Sequence, residues 1–345
     1  MPSLLTLNSL CFPFMPPHNC SIMQPMWTVP IALVLGNCVI LKPSEKVPTT
    51  MRRVAELWMT LMQGSGIPSG VFQIVNGTAD TVQALIHHPS VKAITFVGSS
   101  PVAEIVATSC RQIHKRVTAL GGAKNHLVAL PDCDIDQTST DIVVSYAGCA
   151  GQRCMAASVL LIIGTGTTQT KLLEAVIEKS KKIQPGTNPG CMGPVIDKRS
   201  FDKIQSYISE AETTVGADIL LDGRFTWSKD QLGAEGGNWI GPTVIRHKNA
   251  SDRAMKEEIF GPVLSVYYAA SWEEAIQIEN SSEFGNAACV YTTNGGNAEW
   301  FINRFRAAML GVNIGIPVPR EPFSFGGLSG TKVRNLSSIT VHCQI

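Results

Sequence analysis

From about residue 25 to Leu120 the chain changes its hydrophobic period repeatedly, and that switching narrows the folds open to it. Short apolar runs at Cys38–Leu41, Val71–Val75, Ala93–Val97 and Val117–Leu120 read as strands. Between them lie segments with helical spacing. These are a helix from about Pro25 to the Gly36-Asn37 pair, Pro48–Met62 with Val54, Leu57, Trp58 and Leu61 on one face, Asp80–Ile86, and Pro101–Cys110. Gly64 and Gly66 stop the second helix, and Pro101 sits in a first turn, where its missing N–H is no loss. Strands separated by single helices cannot pair as hairpins. They predict a parallel, doubly wound α/β sheet.

A second α/β pattern starts near Asn125. Ile135–Gly148 and Gln169–Lys182 read as helices, and Val159–Ile163, Val263–Tyr267 and Ala288–Thr292 as strands. The expected division is residues 1–124, residues 125–325 and a tail over 326–345. Charged residues make up 16% of the chain, below the usual share of about 25%, so much surface is expected to be buried in cores or against partner subunits. The net charge of +1 argues against nucleic acid or an anionic membrane surface as partner. No apolar run reaches the ~18 residues of a membrane span. Met1–Leu10 carries no Lys or Arg, so it shows neither a secretory n-region nor an Arg-rich presequence. The ten cysteines form no CxxC pair and no zinc-spaced cluster, which predicts reduced intracellular thiols and no metal site.

Four local motifs each admit two readings. Gly164-Thr165-Gly166 follows a strand and opens a helix, but Gln169 stands where a dinucleotide fingerprint has its third glycine, which favours an ordinary tight turn. Gly148 to Met155 reads GCAGQRCM. Cys154 is there either a small buried apolar residue or a nucleophile whose thiolate the adjacent Arg153 favours. Lys42-Pro43-Ser44-Glu45 ends a strand, either as a solvated loop or as a cation and carboxylate that bond a ribose. Phe96-Val97-Gly98-Ser99 is either a capped helix start or a phosphate site at a helix N-terminus.

Taken in order, these motifs resemble the aldehyde dehydrogenase superfamily, and within it the CoA-acylating methylmalonate-semialdehyde dehydrogenase group. The resemblance runs from about Asn19 to about Phe325. It rests on Lys42-Pro43-Ser44-Glu45, Phe96-Val97-Gly98-Ser99, Gly122-Ala123-Lys124-Asn125-His126, Gly151-Gln152-Arg153-Cys154, Glu257-Glu258-Ile259-Phe260-Gly261-Pro262-Val263 and Ile316-Pro317-Val318-Pro319. It implies an NAD-binding doubly wound domain over residues 1–124 and an α/β catalytic thiol domain over 125–325. It further implies Cys154 as nucleophile and Asn19 as donor to the oxyanion, beside the Cys154 N–H. Lys42 and Glu45 would hold the adenosine ribose, Ser99 the pyrophosphate and Glu258 the nicotinamide ribose. Phe260 would lie against the nicotinamide, and Arg153 would bind a substrate carboxylate. NAD is the implied cofactor, CoA the co-substrate and an aldehyde bearing a carboxylate the substrate. A homo-oligomer and, from the family, a mitochondrial location are implied too, with the cytoplasm the alternative because no presequence is visible.

Hydrolytic members place a Glu just before Leu-Gly-Gly, whereas this chain has Ala119 before Leu120-Gly121-Gly122. With no base to activate water, the resemblance implies release of a Cys154 thioester by CoA, giving propionyl-CoA or acetyl-CoA with loss of carbon dioxide. A hydrolytic dehydrogenase for another aldehyde and an inactive NAD-binding remnant are the competing readings. Three departures bear on them. Asn19 is followed by Cys20-Ser21 where the family has Phe-Pro, the family's long N-terminal segment with a second carboxylate-binding Arg is not matched, and the pattern drifts after Phe325. They suggest an N-terminally truncated copy with a divergent tail.

Overall fold

The alternation of strands and helices is realised nearly element for element. In the computed structural model, which describes residues 9–13, 23–68, 70–227, 237–318 and 326–334, the chain forms two units. One unit takes the chain up to Gly122 and again from Lys332, and the other runs Ala123–Thr331.

The first unit follows the order β1 (Ser9–Pro13), α1 (Met23–Val34), β2 (Cys38–Lys42), α2 (Pro48–Gly64), β3 (Phe72–Ile74), α3 (Ala79–His87), β4 (Val91–Val97), α4 (Ser100–Gln112) and β5 (Arg116–Leu120). β1 lies between β2 and β4, with Cys11 opposite both Ile40 and Ile94, and all five strands run parallel. The chain therefore builds outward through β2 and β3, then returns to the far side of β1 for β4 and β5. Such a reversal opens a crevice at the strands' carboxyl ends, where α/β folds bind ligands. Val29, Ala32, Met51 and Ala55 pack with Val39, Leu41 and Phe72, while Ile86, Ala103, Val106 and Cys110 pack with Ile94, Phe96 and Val117. Each fully buried aliphatic or aromatic side chain is worth about 1.5–3 kcal/mol of transfer free energy.

Helix α2 corrects the expected face. Its buried stripe is Met51 and Ala55 with Val54, Trp58 and Met62 packed beside them, whereas Leu57 and Leu61 are 52% and 67% exposed. A helix with this many apolar residues carries two overlapping stripes, and the pattern alone does not choose between them.

The second unit holds β6 (Asn125–Ala129), α5 (Ile135–Ala147), β7 (Ala157–Ile163), α6 (Thr167–Lys181), α7 (Lys198–Thr213), β8 (Ala217–Leu221), β9 (Thr243–His247), α8 (Arg253–Lys256), β10 (Val263–Ala269), α9 (Trp272–Asn280), β11 (Phe284–Gly285), β12 (Ala287–Tyr291), α10 (Gly295–Ile302), β13 (Met309–Val312) and β14 (Leu328–Ser329). Seven strands form one sheet in the order β13-β12-β6-β7-β10-β9-β8, with only β8 antiparallel to its neighbour. β7 shows why its sequence lacks alternation. Leu160 and Ile162 enter one core with Ile142, Tyr146 and Val176, while Val159, Leu161 and Ile163 enter the other with Ala275 and Phe301. A parallel strand covered on both faces reads as one apolar run.

The segment from 326 contributes to both units. β14 pairs with β11, and β15 (Lys332–Arg334) adds an antiparallel strand beside β5, with Val333 opposite Ala119. Gly164-Thr165-Gly166 is a tight turn. Gln169 is buried over it and donates from Nε2 to the Ile163 carbonyl at 2.8 Å.

Candidate active site

The predicted site residues fall into two groups, one in each unit, and Asn19 lies outside the described residues. In the first unit Lys42 is the last residue of β2 and Ser99 directly precedes α4. Both therefore stand at the carboxyl edge of the sheet, on either side of β1. The Lys42 side chain is buried, and its Nζ lies 3.4 Å from Glu45 Oε2. The Ser99 hydroxyl makes no cap to α4, while Ser100 Oγ accepts from the Gly122 N–H at 2.8 Å, fixing the start of that helix. A cation and a carboxylate near one strand end and a hydroxyl beside a 13-residue helix's N-terminus fit a ribose and a phosphate.

In the second unit Arg153, Cys154, Glu258 and Phe260 line one pocket with Lys124 and Asn125. The pocket lies at the amino ends of β6, β7 and β10, because these residues open or immediately precede those strands. Two loops meet there. Cys149, Ala150 and Gly151 all adopt positive φ, a left-handed turn that carries the chain from the end of α5 toward Cys154. L-residues pay about 1–2 kcal/mol each for this conformation, and such strain concentrates at functional sites. At Gly151 a Cβ would lie 2.1 Å from the Gly261 carbonyl oxygen, so only glycine lets the two loops touch backbone to backbone. On the other side Phe260 also has positive φ, at 58°.

Gln152 is buried and spans the gap to the next segment: Nε2 donates to the Pro194 carbonyl at 3.3 Å and Oε1 accepts from Ile196 N–H at 3.0 Å. Arg153 has a second task that the sequence did not suggest. Its Nη2 donates to the carbonyls of Val144 and Ser145, at 3.0 and 2.9 Å, and so caps the C-terminus of α5. Its Nε is buried with no hydrogen-bond partner among the described residues. Arg153 nevertheless lines the pocket, so its positive charge bears on an anion bound there.

Glu258 accepts from the Ala123 N–H at 2.8 Å, and Lys203 Nζ donates to the Glu258 carbonyl at 2.7 Å. Burial pushes the Glu258 carboxyl up, against the lowering by that N–H, Lys203 and Lys124. Lys124, a motif residue with no role implied by the resemblance, is a buried amine on the pocket wall, donating to the Ala254 carbonyl at 2.8 Å. Burial pulls its pKa down to about 7, with the charge of Glu258 opposing. His126 beside it is held down at about 3 by burial first and by Lys124 second, so it is neutral at pH 7.

The model of the aldehyde dehydrogenase family matches residues 13–340. The chain belongs to the aldehyde dehydrogenase family. It is 42% identical over 318 residues to the malonate-semialdehyde dehydrogenase of Halalkalibacterium halodurans, covering 90% of this chain and 62% of that one. It is 40% identical over 314 residues to malonate-semialdehyde dehydrogenase 2 of Geobacillus kaustophilus, covering 90% and 63%. The crystal structure of the methylmalonate-semialdehyde dehydrogenase of Oceanimonas doudoroffii superposes with a TM-score of 0.87 at 36% identity, over 95% of this chain and 66% of that one. The chain thus spans less than two thirds of the length of the curated relatives it matches. The fold is the aldehyde dehydrogenase fold, as the resemblance implied. These relatives are bacterial and lend no support to the mitochondrial location expected above. Among the described residues, no helix is long and apolar enough to cross a membrane.

Proposed function

We propose that this chain carries out NAD-dependent, CoA-acylating oxidation of malonate semialdehyde or its methyl homologue, through a thioester on Cys154. The observation that carries this reading is the pocket that gathers Cys154, Arg153, Glu258 and Phe260 from loops about a hundred residues apart. Cys154 attacks the aldehyde carbon to form a thiohemiacetal, and loss of hydride turns that into a thioester. NAD supplies the hydride acceptor when bound. Lys42, Glu45 and Ser99 would hold its adenosine ribose and pyrophosphate, Glu258 its nicotinamide ribose, and Phe260 would lie against the nicotinamide. Arg153 pairs with the substrate carboxylate at the pocket that it lines. Asn19 and the Cys154 N–H stabilise the oxyanion.

Release falls to CoA because the family's base position is Ala119, fully buried within the first unit's sheet between β4 and β15. General-base help to water is worth roughly 10²–10⁴-fold, and a thiolate does not need it. The test is NADH formation by the purified chain on malonate semialdehyde. Without CoA it should stop near one equivalent per site. With CoA it should continue, the substrate carboxylate leaving as carbon dioxide, and yield acetyl-CoA. Cys154→Ala should abolish both phases and Cys149→Ala should spare them. Full activity in Cys154→Ala refutes the nucleophile, and fast CoA-independent turnover to a free acid replaces the acylating reading with a hydrolytic one.

A further inference from the structure

The loop that carries Cys154 is held by groups with no stated part in the reaction. Cys154 is the second residue of a tight turn in which the Ala156 N–H donates to the Arg153 carbonyl at 3.1 Å. That bond fixes the peptide before Cys154. The peptide after it is fixed from outside the loop. The Cys154 carbonyl accepts from Asn125 Nδ2 at 2.8 Å and from Asn286 Nδ2 at 3.0 Å. Asn125 Nδ2 also donates to the Ala156 carbonyl at 2.7 Å, and its Oδ1 accepts from Asn286 Nδ2 at 3.0 Å. Asn286 Nδ2 lies 3.2 Å from Met155 Sδ as well. Both asparagines are buried, at 1% and 3% exposure.

The chemistry of the network leaves little freedom in residue type. At position 125 two N–H groups face carbonyl oxygens and one oxygen faces an N–H, a set only a primary amide supplies. An Asp there would turn lone pairs toward two carbonyls, and an apolar residue would leave those carbonyls unpaired in a dry interior. With the peptides on both sides of Cys154 pinned, the direction of its Cα–Cβ bond is pinned too.

We propose that Asn125 and Asn286 are positioning residues for Cys154, holding the peptide after the thiol so that Cys154 keeps one fixed place on the pocket wall. The inference rests on Cys154 being the nucleophile, and it extends that reading to residues that touch no reacting atom. Asn286 lies 132 residues beyond Cys154 in sequence and is not among the pocket-lining residues, so it gives the cleaner test.

The experiment attaches a trifluoroacetonyl group to Cys154 and records the fluorine NMR spectrum, with Cys154→Ala identifying the line. In the parent the Cys154 line should be single and narrow. Asn286→Leu should split or broaden it, and Asn286→Ser, which keeps a donor, should fall between the two. In parallel, the NADH burst rate per titrated site should drop about 10²-fold in Asn286→Leu, the loss expected for about an ångström of misplacement, with the KM for aldehyde little changed. An unchanged line and an unchanged burst rate in a folded Asn286→Leu would overturn the inference, however far stability falls. If that variant does not fold, the same comparison is made with Asn286→Ser. If the parent forms no NADH, the proposed activity fails while the fluorine line still decides the positioning.

Discussion

Replacing Gly151 by alanine tests the contact that joins the two pocket loops. Gly151 has φ +64°, and an added Cβ would lie 2.1 Å from Gly261 O, 2.3 Å from Gly261 C and 2.8 Å from Pro262 N. Ordinary Cβ contacts start at 3.4 Å, so one backbone must retreat by more than an ångström. Two penalties combine. The left-handed conformation costs an L-residue about 1–2 kcal/mol, and overpacking against groups that cannot rotate away costs about 1–3 kcal/mol. Together they amount to about 2–5 kcal/mol, or roughly 5–15 °C in Tm for a unit of this size. Gly190 supplies the control: its φ is +87° and nothing lies within 4 Å of an added Cβ, so Gly190→Ala carries only the conformational penalty. Thermal melts followed by circular dichroism should rank the parent above Gly190→Ala, and Gly190→Ala well above Gly151→Ala. Equal shifts in the two variants would refute the reasoning, because the close approach would then carry no energy of its own.

Glu279 is buried, accepts from the Arg306 N–H at 2.9 Å, and is pushed by burial up to about 7. Its folded pKa lies above its unfolded one, so its contribution to stability should be full below about pH 4.5 and lost as pH rises through 7. Melts of the parent and Glu279→Gln across pH 4–8 should show that slope in the difference, and a flat difference would contradict it. If Glu45 meets the adenosine ribose, fluorescence titration should show tighter binding of NAD than of NADP, with Glu45→Gln narrowing the gap roughly tenfold, the effect of about 1.4 kcal/mol. Equal affinities in the parent would place Glu45 elsewhere. Arg153→Leu should lower stability by about 1–3 kcal/mol through the lost α5 cap, and should weaken kinetics on malonate semialdehyde more than on propanal. Equal losses on both aldehydes would leave the cap as its only role.

The fold was legible because it depends on local period. β2, β4, β5 and β7 are apolar runs bounded by glycine or by polar turns, and α3 to α6 keep their predicted places within two or three residues. β6 was missed because its five residues, Asn125 to Ala129, are all buried although Asn and His open it. Polar residues buried for their hydrogen bonds look like a loop when read alone. The same limit applies at the site. Cys154 and Glu258 could be found from neighbouring residues in motifs. The bonds from Asn286 to Asn125 and from Glu258 to Ala123 join positions 161 and 135 apart, which no local pattern encodes. Arg153 was legible as a charge beside a thiol, but its cap on α5 depends on where the helix ends in space.

That spacing also sets a schedule for the newborn chain. Cys154 leaves the ribosome long before Asn286, which follows 132 residues later. At about 5–20 residues per second the interval is roughly 7–26 s. Through that interval the Cys154 carbonyl lacks the Asn286 bond, and β6 lacks its neighbour β12. The strand that fixes the thiol's neighbourhood closes a long loop, which is slow in its own right. A nascent chain of this kind therefore spends many seconds with the Cys154 loop held only by its own turn and by Asn125.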